Sequence, residues 1–315
     1  MAKWTMENMP DLIGKIIIVT GANSGIGFDA TRAFVQKGGH VVLASRNVQK
    51  AETAVSQIKA ETPTASTEII PLNLADLTSI KNFATIFTTN HAQLDLLINN
   101  AGVMAIPYRQ TINGFEMQFG TNHLGHFALT GHLLPTLLNT ANSRVVTVSS
   151  NYHNRGTGQI DFDNLNGEKE YKKWDAYMYS KLANLLFAYE LQRKLSTIGS
   201  STISVACHPG YSATNLQYAG PDMEGSGVQR LIMRLMNTFL AQSSAMGALP
   251  TLYAAVADDV NGCDYIGPDG MMQMRGHPHK THSNEASYNE ADAQKLWTLS
   301  EELTKVTFDL LPQTH

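Results

Sequence analysis

Cysteine is nearly missing from this chain: Cys207 and Cys263 are the only two in 315 residues. They cannot build a disulfide framework, so a hydrophobic core must carry the fold, and a reducing compartment suits them. Charge is also sparse. Only 16% of residues are charged, the net charge is −4, and no lysine–arginine run or stripe is present. That argues against nucleic acid as the partner. No window reaches the roughly 18 apolar residues of a membrane span. The opening MAKWTMENMPDL lacks the apolar stretch that follows a basic start in a secretory signal. A cytoplasmic protein without a membrane span is expected.

What the chain does have is alternation. Strand-like runs KIIIVT (15–20), HVVLAS (40–45), STEIIPL (66–72), LDLLIN (94–99), RVVTVS (144–149) and TISVAC (202–207) are separated by helical patterns. Continuous Val/Ile/Leu runs mark strands buried on both faces, hence a parallel sheet. Repeated βα units predict an α/β fold: a single doubly wound, Rossmann-type sheet flanked by helices, formed by residues 1–315 as one domain. Two segments break the rhythm. Residues 151–174 read as a polar loop, and 211–243 as a methionine-rich insertion. A further polar stretch, 267–290, precedes a last helical pattern from Ala291.

TGANSGIG (20–27) follows the first strand and opens the first helix, the context in which a glycine motif is informative. Gly21 permits the tight turn, Gly25 lets backbone approach a phosphate, and Gly27 lets helix pack on strand. Asn23, Ser24 and Ile26 share that turn, whose helix N-terminus offers N–H groups to a pyrophosphate. The end of the second strand reads Ala44, Ser45, Arg46, Asn47, without the acid that would bond the ribose 2′-OH of NAD. Arg46 suits the 2′-phosphate of NADP instead, since guanidinium matches phosphate geometry.

AYMYSKLAN (176–184) carries two tyrosines near one lysine. Tyr177 and Lys181 are four apart and share a helix face, whereas Tyr179 points to nearly the opposite side. A neighbouring ammonium favours phenolate, so Lys181 is expected to lower the Tyr177 pKa. Tyr177 is the candidate acid–base group.

Together these motifs resemble the short-chain dehydrogenase/reductase family over essentially the whole chain. NNAG (99–102) is similar to the family segment beside the cofactor, and brings in Asn100, Ala101 and Gly102. TNHLGHF (121–127) carries the family's active-site asparagine as Asn122. VSS (148–150) places Ser150 as the serine that orients substrate, and HPGYSAT (208–214) resembles the P-G-x-x-x-T segment, with Pro209, Gly210 and Thr214. NHLGHF, SKLAN and HPGYSATNL look closest to the retinol-dehydrogenase-like branch and similar bacterial oxidoreductases. The family's adenine-contacting aspartate appears here as Asn73, followed by Leu74. Ser150 and Tyr177 are 27 apart, wider than usual, which leaves Ser149 in competition with Ser150. A bulge over 151–174 would absorb the excess.

The resemblance implies reversible hydride transfer between NADP(H) and an alcohol or carbonyl. Tyr177 would protonate the alkoxide and Ser150 would hydrogen-bond the same oxygen. Lys181 would tune Tyr177 and hold the ribose, and Asn122 would hold a relay water. Tyr177 and Lys181 thus belong to both the catalytic and the cofactor sets. The insertion 211–243 is expected to be a helical lid, and its apolar faces favour a hydrophobic substrate. HPHKTH (277–282) clusters His277, His279 and His282 but adds no Cys or carboxylate, so it reads as a solvated loop and no metal is required. Two alternatives stay open: reduction of C=C bonds, as in protochlorophyllide-reductase-like relatives, and an NADP-binding sensor or scaffold without catalysis. Whether the chain forms a homo-oligomer is also open.

Overall fold

The structure, a computed structural model, describes residues 3–155, 158–212 and 241–310. Eight strands form one sheet in the order β3-β2-β1-β4-β5-β6-β7-β8. They are β1 Ile16–Thr20, β2 His40–Ser45, β3 Thr67–Pro71, β4 Leu96–Asn99, β5 Arg144–Val148, β6 Ile203–Cys207, β7 Tyr265–Pro268 and β8 Pro278–Thr281. All neighbours pair parallel except β7 with β8, which is antiparallel. The order reverses between β1 and β4, and at such a switch point a crevice opens beyond the carboxyl ends of the strands.

Helices cover both faces. Among the described residues they are α1 Gly25–Gln36, α2 Val48–Glu61, α3 Leu77–Asn90, α4 Met117–Phe119, α5 Gly125–Leu138, α6 Lys173–Thr197, α7 Ser244–Val256 and α8 Glu290–Thr304. Successive residues of a strand face opposite ways. In β1, Ile17 and Val19 therefore pack with Phe34 of α1 and Leu252 of α7. Ile18 packs on the other face with Phe83 of α3, Phe127 of α5 and Phe187 of α6. These strand residues are completely buried, which is why they read as unbroken apolar runs. Trp297 of α8 and Phe308 close that second core: the Phe127 ring lies 5.2 Å from Trp297 and 4.8 Å from Phe308. Edge-on and tilted aromatic pairs of this kind add to the burial itself. No helix among the described residues is long and apolar enough to cross a membrane.

The six strands expected from sequence are β1 to β6. The pair β7 and β8 was not expected, because four-residue strands are too short to show periodicity. HPHKTH is corrected accordingly. It is mostly strand β8 rather than a solvated loop, with His279 Nδ1 hydrogen-bonded to the Gly267 carbonyl at 3.0 Å and His277 Nδ1 to the Trp4 carbonyl at 3.0 Å. Its polar composition fits an edge strand with one wet side. The loop after β5 does bulge. Asn166 accepts from Glu116 N at 2.7 Å, and Tyr171 Oη donates to the Ile106 carbonyl at 2.8 Å. The excess chain is thus stitched onto the 106–118 segment, and Ser150 and Tyr177 stay at its two ends. Of the expected lid, residues 213–240 lie outside the described residues. Its two flanks meet through a bridge between Ser212 and Gln242.

Candidate active site

A cleft of about 980 Å³ lies at the carboxyl ends of the strands. It brings together Gly21, Asn23, Ser24, Gly25, Ile26 and Gly27 after β1, Arg46 after β2, and Asn73 and Leu74 after β3. Asn100, Ala101 and Gly102 follow β4, Ser150 follows β5, Tyr177 and Lys181 come from α6, and Pro209 and Gly210 follow β6. Thr214 lies outside the described residues. Asn122 does not line the cleft; it is fully buried just behind Gly102.

The glycine turn is built to admit a ligand's backbone-binding group. Gly21 and Gly25 have φ of +68° and +55°, a region that favours glycine. A Cβ at Gly27 would collide with the Gly21 carbonyl and come within 2.6 Å of Asn100 Nδ2. Asn100 Nδ2 instead donates to the Thr20 carbonyl at 2.8 Å, which ties the turn to the NNAG segment. Ser24 precedes α1 without capping it through its side chain, and Gly25, Ile26 and Gly27 of its first turn line the cleft. A helix N-terminus left uncapped in a crevice fits a pyrophosphate. Arg46 is exposed at the rim, with Lys50 one helical turn further on. Asn73 Oδ1 accepts from Ala75 N at 3.2 Å, so one of its lone pairs is already used in its own turn.

Tyr177 is 4% exposed and lines the cleft beside Ser150. Burial pushes the phenol up to about 12, and the Ser150 hydroxyl pulls it partly back. This corrects the expectation that Lys181 would dominate. The Lys181 ammonium stands 5.8 Å from the Tyr177 ring centre and donates to the Val148 carbonyl at 3.1 Å. Burial lowers Lys181 itself to about 8. Tyr179 lies on another side of α6, beside Phe119 and Tyr171 in a separate small pocket. Both serines line the cleft, but their hydroxyls have different partners. Ser149 Oγ donates to the Lys181 carbonyl at 2.7 Å and is buried. Ser150 Oγ accepts from Tyr152 N at 3.2 Å and lines the cleft, where its hydroxyl hydrogen can serve an oxygen anion.

The model of the short chain dehydrogenase family matches residues 15–224. Mouse retinol dehydrogenase 11 is 40% identical over 302 residues, which cover 95% of this chain and 89% of that protein. This chain is a short-chain dehydrogenase/reductase. The structure of a Mycobacterium paratuberculosis protein is 39% identical, covers 98% of this dehydrogenase and 99% of its own chain, and superposes with a TM-score of 0.79. A Shigella flexneri short chain dehydrogenase complexed with NADP is 22% identical, with a TM-score of 0.62 over 81% of this chain and 97% of that one. At that identity it shows the shared fold. Oxidoreductase chemistry with a nicotinamide cofactor belongs to the family.

Sequence reasoning missed the scaffold behind this dehydrogenase's cleft. Asn122 sits in a wide π-helical turn, Gly120–Leu124, between α4 and α5. Such turns recur at functional sites. Its Oδ1 accepts from Val103 N at 2.8 Å, and its Nδ2 donates to the Val103 carbonyl and to Ser180 Oγ, each at 2.9 Å. The side-chain amide is therefore fully engaged. Its main-chain carbonyl accepts from His126 Nδ1 at 2.9 Å. His126 is completely buried, and burial lowers it to about 4, so the ring is neutral near pH 7. With its proton on Nδ1, His126 Nε2 accepts from Thr20 Oγ1 at 2.9 Å, and Thr20 Oγ1 accepts from Asn100 N and Ala101 N, each at 2.9 Å. One chain of hydrogen bonds thus joins three motifs. The signal in the sequence was the second histidine of NHLGHF, one turn after Asn122. His126→Leu removes the ring donor to the buried Asn122 carbonyl and leaves the Thr20 hydroxyl only its longer bond to the Ile98 carbonyl, at 3.2 Å. It is expected to destabilise the fold by about 1–3 kcal/mol in urea unfolding. An unchanged midpoint at unchanged slope would remove the network from the account.

Proposed function

We propose that this dehydrogenase interconverts a hydrophobic alcohol and its carbonyl with NADP(H), using Tyr177, Ser150, Lys181 and Asn122. The observation that carries this reading is Tyr177, beside Ser150 and one turn from Lys181, on the wall of the cleft that also holds the glycine turn. The dinucleotide, when bound, supplies or receives the hydride. The residues that would hold it are Gly21, Asn23, Ser24, Gly25, Ile26 and Gly27 at the pyrophosphate and Asn73 and Leu74 at the adenine. Asn100, Ala101, Gly102, Pro209, Gly210 and Thr214 would lie along the nicotinamide half, with Lys181 at its ribose.

In the reducing direction Tyr177 gives its proton to the oxygen that gains charge. A phenol held near 12 stays protonated at neutral pH, ready to donate. Ser150 donates a hydrogen bond to the same oxygen, where fixed dipoles in a dry site have the most effect. Lys181 lies 3.6 Å from the space a Gly102 side chain would fill, so it sits at the floor of the cleft. Asn122 would act by positioning: its amide clamps Val103 and Ser180, which lies on the same helix as Tyr177 and Lys181.

Tyr152 stacks on Trp174 at 4.9 Å, and both line the cleft next to Tyr177. A flat aromatic wall beside the proton donor suits an apolar substrate. The curated relative named a retinol dehydrogenase supports the same class. The unpaired thiols of Cys207 and Cys263 support the cytoplasm as its compartment.

Assays with NADPH and panels of aldehydes, ketones and enones test the reading. Alcohol products from the aldehydes or ketones are expected. Saturation of enone double bonds alone, or no turnover with any member, would overturn it. The cofactor is tested by Arg46→Asp. Losing a charge-assisted phosphate contact and adding repulsion is expected to shift the ratio of kcat/KM for NADPH over NADH by about 10- to 100-fold toward NADH. Equal use of both by the native protein would end the NADP assignment.

A further inference from the structure

We infer that His40, Glu68 and His91 form a binding site for a divalent late transition metal such as Zn2+, on the flank of the sheet away from the cleft. His40 opens β2, Glu68 is the second residue of the adjacent β3, and His91 closes α3. The register pairs Val42 with Glu68, which sets the Glu68 carboxylate close to the start of β2. The cleft lies at the opposite, carboxyl ends of these strands, so this cluster is separate from the oxidoreductase site.

The donor atoms converge. His91 Nε2 is 2.6 Å from Glu68 Oε2, His40 Nε2 is 3.7 Å from the same oxygen, and all three ligand atoms lie within 4.8 Å of one another. Ligands about 2.0–2.2 Å from a tetrahedral zinc stand roughly 3.3–3.6 Å apart. The observed separations straddle that spacing, so small side-chain rotations bring all three into contact with an ion. Two imidazoles and one carboxylate are a donor set that zinc accepts, with water completing the fourth position.

The support around His40 is already in place. Its Nδ1 is 2.7 Å from Ser66 Oγ. With the ring proton on Nδ1, Ser66 accepts it, and Nε2 is left as a bare lone pair aimed at Glu68. That Nε2 is buried and has no hydrogen-bond partner. A second hydrogen bond on the far ring nitrogen is the usual way a ligating histidine is oriented. Glu68 is held through its other oxygen by Asn90 Nδ2 at 3.3 Å, and His91 is backed by the Phe87 ring at 4.8 Å. The side chains of His40, Glu68 and His91 are 28%, 28% and 15% exposed. An ion can therefore enter from solvent and keep a water. Once bound, it would tie β2, β3 and α3 together.

Tag-free full-length protein, stripped with chelator, is titrated with ZnCl2 by calorimetry, and with Co2+ for its visible absorption. One saturable equivalent and the absorption bands of four-coordinate cobalt are expected. His40→Ala, His91→Ala and Glu68→Gln should each weaken binding by at least about tenfold, while His277→Ala, in the other histidine cluster, should not. Zinc should raise the Tm of the native protein and leave that of a His40→Ala/His91→Ala double variant unchanged. Carbonyl reductase turnover of the zinc-free variants reports that they remain folded. No saturable binding would overturn the proposal. So would binding that survives all three substitutions, which would place the ion elsewhere.

Discussion

Tyr177→Phe is expected to lower kcat by about two to four orders of magnitude, the range for losing a general acid or base. The substitution removes one oxygen from a ring that is otherwise packed against Tyr152 and Trp174, at 5.7 and 6.4 Å between ring centres. The ring stays, so packing is preserved. Losing the hydroxyl beside Ser150 costs about 1 kcal/mol at most, since Ser150 can turn to water in the open cleft. Cofactor affinity should persist because the glycine turn is untouched. Tyr179→Phe serves as the control: its ring sits in a different pocket and reaches neither Ser150 nor Lys181. Steady-state kinetics and dinucleotide binding of both variants decide the matter. A larger loss in the Tyr179 variant would displace the proposed mechanism.

The contrast between the two tyrosines was legible before any coordinates because helical spacing is a rigid rule, and α6 runs without a break through both. The glycine turn was legible for a similar reason. Its residues are restricted by backbone geometry, and Gly21 and Gly25 do adopt the positive φ that only glycine takes easily. Other features depend on what folds back from far away. The burial that raises Tyr177 and lowers Lys181 comes from the surrounding elements, not from their neighbours in sequence. Periodicity shows the face a residue shares, not how much water is left around it. The expected Lys181 effect on Tyr177 therefore gave way to desolvation. Thr20 and His126 lie 106 residues apart and meet only because β1 and α5 converge on the NNAG segment. The short strands β7 and β8 exist because each completes the other's hydrogen bonds at the edge of the sheet. Asn122 was legible by motif, but the partners of its amide, Val103 and Ser180, come from other segments and were not.

Lys181→Met should cost activity and raise stability at once. The native side chain is only 4% exposed, and burial holds its ammonium down to about 8 against 10.5 for a free lysine. The folded state therefore binds its proton less tightly than the unfolded state does. Between pH 8 and 10.5 the unfolded chain carries the extra proton, so the stability of the native protein rises with pH across that window and is lowest below it. At pH 7 the full penalty applies. The lowering from 10.5 to about 8 corresponds to roughly 3 kcal/mol. Methionine fills similar volume without charge. The cofactor-free variant should therefore be more stable than the native protein by about 1–3 kcal/mol at pH 7, and the advantage should disappear by about pH 10.5. Turnover should nonetheless fall by about 100-fold or more, because no cation remains beside Tyr177 to stabilise developing charge. Urea unfolding at pH 7 and pH 10.5, paired with kcat and dinucleotide affinity, separates the two effects. A variant that is both less stable at pH 7 and fully active would show that Lys181 is a structural residue. A variant that is more stable and inactive shows a buried cation kept for chemistry at the expense of the fold.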